Sequence, residues 1–256
     1  MNKIVYFFVI CGMVLFASTG YAGQVEIFSD NFNDASLNIT KWPTSPEVYR
    51  GQSWVPYGSV AEAGGALDFT VEGGRPGSVK LTSQELVAGS SWSSMSAGGK
   101  WWQSSAGSWT AGIEVNLYDS DTNKGLKADY SAYFLHLTIY EDGVAKYGPT
   151  YSVYNMDRIS APTNFKFDIT PQGWSFYNGN SLVHSQSSTI FAASDSFNLK
   201  IGGGDWNYSD YNNEHDYFDD IKITAEVPNQ AVPEPATMTL LGLGFAGLLK
   251  LKRKKA

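Results

Sequence analysis

Tyr133-Phe134-Leu135-His136-Leu137-Thr138-Ile139-Tyr140 is the stretch whose reading decides the fold. Successive side chains of an extended strand point to opposite faces, so Tyr133, Leu135, Leu137 and Ile139 share one face and Phe134, His136, Thr138 and Tyr140 the other. The same two-fold alternation recurs on either side. Ile113, Val115 and Leu117 alternate with Glu114, Asn116 and Tyr118; Phe165, Phe167 and Ile169 with Lys166 and Asp168; Phe197, Leu199 and Ile201 with Asn198 and Lys200. Each run offers one apolar face and one mixed polar-aromatic face. Gly, Asn, Asp and Ser clusters separate the runs, and no long stretch carries a helical period. Residues 174–183 place Asn178-Gly179 between two strand-like runs, a strong hairpin signal. The pattern predicts an all-β, two-sheet antiparallel sandwich.

The ends of the chain read differently, each as an apolar helix. Residues 1–22 carry one early cation, Lys3, an apolar run at 4–16, and a small or polar stretch with Gly20 and Ala22. That order predicts a secretory signal peptide cut after Ala22 by signal peptidase. Its run is shorter than the roughly 20 residues that span a bilayer as a helix. Cys11, the single cysteine, lies inside this segment behind Ile10, which is too large for a lipoprotein signal. The mature chain therefore relies on apolar burial rather than disulfides, although it is bound for a compartment where disulfides persist.

At the other end, Val232-Pro233-Glu234-Pro235-Ala236 precedes an apolar, glycine-punctuated run to residue 249 and cations at 250, 252, 253, 254 and 255. The prolines hold the backbone extended, the form a protease binds. A helix over 236–249 would span about 21 Å at ~1.5 Å per residue, a short crossing of the inner membrane whose basic end stays in the cytoplasm. An ordinary tail anchor is the alternative. The combination of Pro233, Glu234 and Pro235 with a short span and a basic end resembles the PEP-CTERM sorting signal over residues 232–255. That resemblance implies cleavage by a membrane exosortase and delivery to the envelope, cell surface or extracellular matrix of a Gram-negative bacterium.

These ends divide the chain into a signal peptide at 1–22, a folded domain at 23–227, a linker with the Pro-Glu-Pro motif at 228–235, and a transmembrane segment with its basic tail at 236–256. Without Lys3 and the tail cations twelve of the 18 basic residues remain, and without Glu234 twenty-four of the 25 acidic ones, so the domain carries about −12. Such a charge repels phosphate backbones and excludes nucleic acid as a partner. Cations and neutral sugars fit it better.

Within the domain, Phe28-Ser29-Asp30-Asn31-Phe32-Asn33 followed by Lys41-Trp42 resembles the opening strand of concanavalin A-like lectin/glucanase jelly rolls. Residues 63–69 resemble the strand that follows, 107–115 its outer partner, 176–183 the family's hairpin, and 218–224 its closing strand. Together, in order, they favour a jelly-roll sandwich; a Greek-key sandwich of another family is the competitor. Fold alone does not decide function.

Glucanases of this type set a nucleophile and an acid on one strand as Glu-x-Asp-x-(x)-Glu, and the complete motif does not occur here: Glu214-His215-Asp216 is followed by Phe218 and Asp219 where the closing glutamate would stand. Carboxylates from different strands could still form the pair that glycoside hydrolysis needs, but nothing in the sequence marks one. Gly51-Gln52-Ser53-Trp54-Val55 fails the Gly-x-Ser-x-Gly nucleophile elbow at its last position. His136, His184 and His215 show no metal-ligand spacing. The domain is therefore expected to be non-enzymatic.

Aromatics carry the expectation of sugar binding, since a flat ring lies well against the C–H face of a pyranose. The candidates are Trp92, Trp101, Trp102, Trp206, Tyr208 and Tyr211. At most one of the adjacent Trp101 and Trp102 can face a ligand, and ring burial in the core is the competing reading for all of them. Asp30, Asp219 and Asp220 are candidate ligands for a structural calcium, which the jelly-roll resemblance places near the first and last strands. The expected role is binding or organising extracellular polysaccharide, with a glycan-cleaving hydrolase or lyase and a ligand-free matrix protein as alternatives.

Overall fold

The computed structural model describes residues 23–50, 58–71, 77–87, 92–103, 112–119, 121–131, 134–141, 144–146, 159–187, 190–192, 195–205 and 214–227. The predicted signal peptide, the Pro-Glu-Pro linker and the C-terminal segment lie outside them, as do Trp206, Tyr208 and Tyr211. Gln24–Val227 form one compact unit.

Among the described residues the regular elements are all strands: β1 (Gly23–Asp30), β2 (Glu47–Arg50), β3 (Gly58–Ala63), β4 (Ala66–Val71), β5 (Gly77–Thr82), β6 (Leu86–Val87), β7 (Ser94–Gln103), β8 (Gly112–Asp119), β9 (Lys124–Ser131), β10 (Phe134–Glu141), β11 (Val144–Lys146), β12 (Thr163–Thr170), β13 (Gly173–Asn178), β14 (Ser181–Gln186), β15 (Ser196–Asp205) and β16 (Glu214–Val227). They form two antiparallel sheets. The first runs β14-β13-β12-β7-β16-β4-β3, with β1 on β16; the second runs β11-β10-β9-β8-β15-β5-β2, with β6 on β15. First and last strands thus lie side by side in the first sheet, as a jelly-roll sandwich requires.

The alternation read in the sequence sets which face is inside. Leu135, Leu137 and Ile139 of β10 are buried beside Ile113, Val115 and Leu117 of β8 and Leu199 and Ile201 of β15. From the first sheet they meet Phe69, Trp101, Phe165, Phe167, Phe176 and Phe218. The opening motif closes one end of this core. Trp42 packs its ring edge-on to Phe28 at 5.3 Å and beside Phe32 at 6.2 Å, and its Nε1 donates to Asp30 Oδ2 at 2.8 Å.

The hairpin sits one residue later than Asn178-Gly179 predicts. Asn178 is the last residue of β13, paired with Ser181, and Gly179-Asn180 form the two-residue turn. Gly179 has φ of 60°, at the position where a type II′ hairpin turn takes glycine. Asn178 is instead turned inward, where its Oδ1 accepts a hydrogen bond from Trp101 Nε1 at 3.1 Å.

Candidate functional site

Strand register lines up titratable residues on the outer face of the second sheet. Lys80 of β5 pairs with Gly202 of β15, Gly202 with Glu114 of β8, Glu114 with Asp129 of β9, and Asp129 with His136 of β10. One row across five strands therefore reads Lys, Gly, Glu, Asp, His. The next row along is Thr82, Lys200, Asn116, Lys127 and Thr138. Directly opposed side chains on one face lie close enough to interact.

Glu114 is the centre of this arrangement. Its Oε1 is 2.5 Å from Lys80 Nζ and its Oε2 is 3.1 Å from Lys127 Nζ, which also reaches Asp129 Oδ2 at 3.0 Å. Gly202 makes the first contact possible, because Lys80 stretches over it; a Cβ there would stand 2.9 Å from Lys80 Cγ and 2.5 Å from the carbonyl of Val79. Burial works to raise the Glu114 carboxyl, but Lys127 and Lys80 outweigh it and hold the group below its ordinary value. Burial likewise pulls Lys127 down, and Glu114 and Asp129 overcome it to lift the ammonium above the usual lysine range. Beside them Asn116 Oδ1 is buried and accepts no hydrogen bond. Glu114 is thus a fixed, ionised carboxylate with a second carboxylate about 6 Å away at most through the shared ammonium, the scale of the ~5–5.5 Å separation in retaining glycosidases.

The aromatics selected from the sequence go to different places. Trp92 and Trp101 are buried in the core, which corrects the expectation that they meet a sugar. Both fall on inward positions, and Trp101 is packed among Phe165, Tyr130 and Phe176. Trp102 points outward from the first sheet, stacked on Tyr217 at 5.1 Å and 14°, with His215 stacked beyond Tyr217 at 6.0 Å. His215 Nδ1 lies 3.0 Å from Asp68 Oδ1.

The predicted calcium ligands are already matched by protein cations and donors. Asp30 is buried against Trp42 Nε1 and lies 3.5 Å from Lys41 Nζ. Asp219 and Asp220 share Lys100, at 3.2 Å from Asp219. A cleft of about 520 Å³ brings Asp30 and Asp220 to one rim, but Lys41 and Lys222 line it too. A group of three or more carboxylates and histidines poised for a metal does not occur among the described residues. Ammonium groups thus stand beside Asp30, Asp219 and Asp220, the residues expected to hold calcium.

One carboxyl departs from this matching. Both Glu62 oxygens are shielded from solvent. Burial first, then the neighbouring Asp34 and Asp30, push this carboxyl up to about 7. A carboxyl raised in the folded state binds its proton better there, so stability falls as pH rises from about 4.5 to about 7 and levels off above. The melting temperature is expected to drop across that window, and Glu62→Gln to flatten the drop. An unchanged slope in the variant would assign the pH dependence elsewhere.

Two comparisons bear on this geometry. The model of the PEP-CTERM protein-sorting motif matches at residues 231–254. This chain carries a PEP-CTERM sorting motif. The motif marks the protein for the cell surface or extracellular space and implies exosortase processing. No curated relative matches the sequence.

Among solved structures, the sandwich is similar to the catalytic domain of an endo-1,3-β-glucanase (laminarinase) from Thermotoga petrophila, with 11% identity over 80% of this chain and 99% of that one and a TM-score of 0.57. It is similar to the endo-β-1,3-glucanase of Pyrococcus furiosus at 11% identity, 81% and 97% coverage and a TM-score of 0.59. A non-specific endo-β-1,3(4)-glucanase of family GH16 matches at 10% identity, 82% and 94% coverage and a TM-score of 0.60. At such identities the likeness establishes the jelly-roll fold. It also corrects the expectation of a non-enzymatic domain, which rested on the incomplete Glu-x-Asp-x-(x)-Glu motif: these three solved structures are glucanases. Along one strand, β16, the partial motif Glu214-His215-Asp216 continues to Asp219 rather than to a glutamate. The pair Glu114 and Asp129 lies across two strands and has no signature in sequence spacing, although Glu114 was visible as an outward position between Ile113 and Val115.

Proposed function

We propose that the PEP-CTERM protein is delivered outside the cell and there binds and cleaves polysaccharide on the outer face of its second sheet. The observation that carries this reading is the cross-strand pair Glu114 and Asp129, held by Lys127 on a face that also bears His136 and the unpartnered oxygen of Asn116. An ionised Glu114 can attack, or stabilise, the positive charge that develops at the anomeric carbon. Asp129 is the second carboxyl, and His136 stands next to it in the row. The glucanase fold of the structural neighbours supports a glycan as substrate.

The test is release of reducing ends from a panel of soluble β-glucans by the full chain. Glu114→Gln and Asp129→Asn should each lower the rate at least a hundredfold at a temperature where circular dichroism shows the variant as folded as the parent. Activity retained in both variants, or release from none of the glycans, would overturn the hydrolytic reading. Binding without cleavage has its own support in the outward stack of Trp102 and Tyr217, and a glycan array with Trp102→Ala examines it.

A further inference from the structure

A second groove lies on the other side of the sandwich, away from Glu114. It has a volume of about 690 Å³ and crosses β16, β7, β12 and β13 of the first sheet. At ~4.8 Å between neighbouring strands, those four strands give it a width of roughly 14 Å. That volume is within the ~300–1,000 Å³ of ligand clefts.

Its floor is Gly98 and Gly99 of β7. A Cβ at Gly98 would stand 2.7 Å from the carbonyl of Phe165, and one at Gly99 2.6 Å from Ile221 Cδ1. Gly98 alternates with Ser96 and Lys100 on the outer face, where the close approach of β12 leaves a bare strip, while Gly99 faces inward against the buried Ile221. Around that strip stand Tyr177, Asn164, Asn180, Lys100, Lys222 and Asp220.

Donors and acceptors are balanced in this lining. Lys100 is held by Asp219 and Asp220, Lys222 pairs with Glu26 at 3.0 Å, and Lys166 lies 4.5 Å over the Tyr177 ring while meeting Asp168 at 2.6 Å. Each ammonium already has an anion beside it. A polyanion would meet these carboxylates as well as a domain of net charge about −12, and a polycation would meet the lysines. A neutral polyhydroxylated chain meets neither obstacle. Every hydroxyl both donates and accepts, so it can use amide, ammonium and carboxylate groups alike, and the Tyr177 ring offers an apolar face to a pyranose.

We infer that this groove is a second glycan-binding site, non-catalytic and specific for a neutral polysaccharide, on the face opposite the Glu114 row. The inference is independent of cleavage at that row. Two sites on opposite faces let one molecule hold two polysaccharide strands, or hold one strand by avidity while the other face works on it.

The experiment uses the full chain carrying Glu114→Gln, so that a soluble neutral 1,3-β-glucan oligosaccharide persists as the probe, with polygalacturonate as the anionic control. Calorimetric titration should record binding of the neutral probe. Adding Tyr177→Ala together with Asn164→Ala should weaken it at least tenfold. Asn164→Asp alone, at an exposed position, should weaken it severalfold with no change in melting temperature. Cleavage of short soluble substrates by the groove variants in the parent background should stay at the parent rate. Neutral-probe affinity unchanged by the groove substitutions, or tighter binding of polygalacturonate than of the neutral probe, would overturn the proposal.

Discussion

Trp101→Ala is expected to destabilise the domain by about 4 kcal/mol, within the ~3–5 kcal/mol range for emptying a large buried aromatic site. Trp101 is fully buried, its ring centroid 5.1 Å from Phe165 and 6.1 Å from Phe176, and its Nε1 is satisfied by Asn178 at the end of β13. Alanine would leave a cavity between the two sheets and strand the Asn178 amide oxygen. Trp101→Phe should cost about half as much, since the volume largely remains and the hydrogen bond is lost. Urea unfolding followed by tryptophan fluorescence and far-UV circular dichroism measures both. A Trp101→Ala variant as stable as the parent, but unable to bind glycan, would return this residue to the surface.

Lys127→Met should cost about 2–4 kcal/mol at neutral pH, because removing one partner of a largely buried ion network leaves charge uncompensated. Glu114 would retain Lys80, whereas Asp129 would lose the contact at 3.0 Å and face Glu114 directly across the strands. The pH dependence gives the loss a signature. In the parent, Glu114 is held below its ordinary value, so its contribution to stability is present above about 4.5 and fades as pH falls through the depressed value. In the variant that depression is relaxed, so the gap between parent and variant should hold from pH 7 down to about 4.5 and narrow as pH is lowered further. Adding Glu114→Gln to Lys127→Met should recover part of the stability, because the remaining carboxylates no longer repel. A constant gap continuing below about pH 4.5 would mean that Lys127 acts through its aliphatic stem alone.

Both predictions turn on facts of different legibility. The alternation in β8, β10, β12 and β15 could be read directly, because a two-fold period encodes burial residue by residue and the core follows from it. The opening motif was equally plain: Asp30, Phe32 and Trp42 gather at one end of the sandwich, joined by the Trp42-to-Asp30 hydrogen bond. The sorting motif needs only local order, since a protease and a membrane read Pro-Glu-Pro, an apolar run and a basic end without the domain's fold.

Two adjacent tryptophans mark where that legibility stops. The sequence required Trp101 and Trp102 to face opposite ways, but which one entered the core was settled by the register of β7 against β12 and β16. The carboxylates behave similarly. Asp30, Asp219 and Asp220 suggested a cation site by type and place, and only the fold shows Lys41 and Lys100 beside them. Glu114 and Asp129, fifteen positions apart, carry no motif; they face each other because the β8–β9 hairpin pairs them and Gly202 lets Lys80 cross to the same oxygens.

The sequence by itself therefore determined the all-β architecture, the composition of the core and the export address, because each depends on periodicity or local order along the chain. Tertiary structure alone decided which outward residues meet. Cross-strand register brings together side chains whose separation in sequence has no fixed relation to their separation in space, and both the Glu114 row and the glycine-floored groove are built that way.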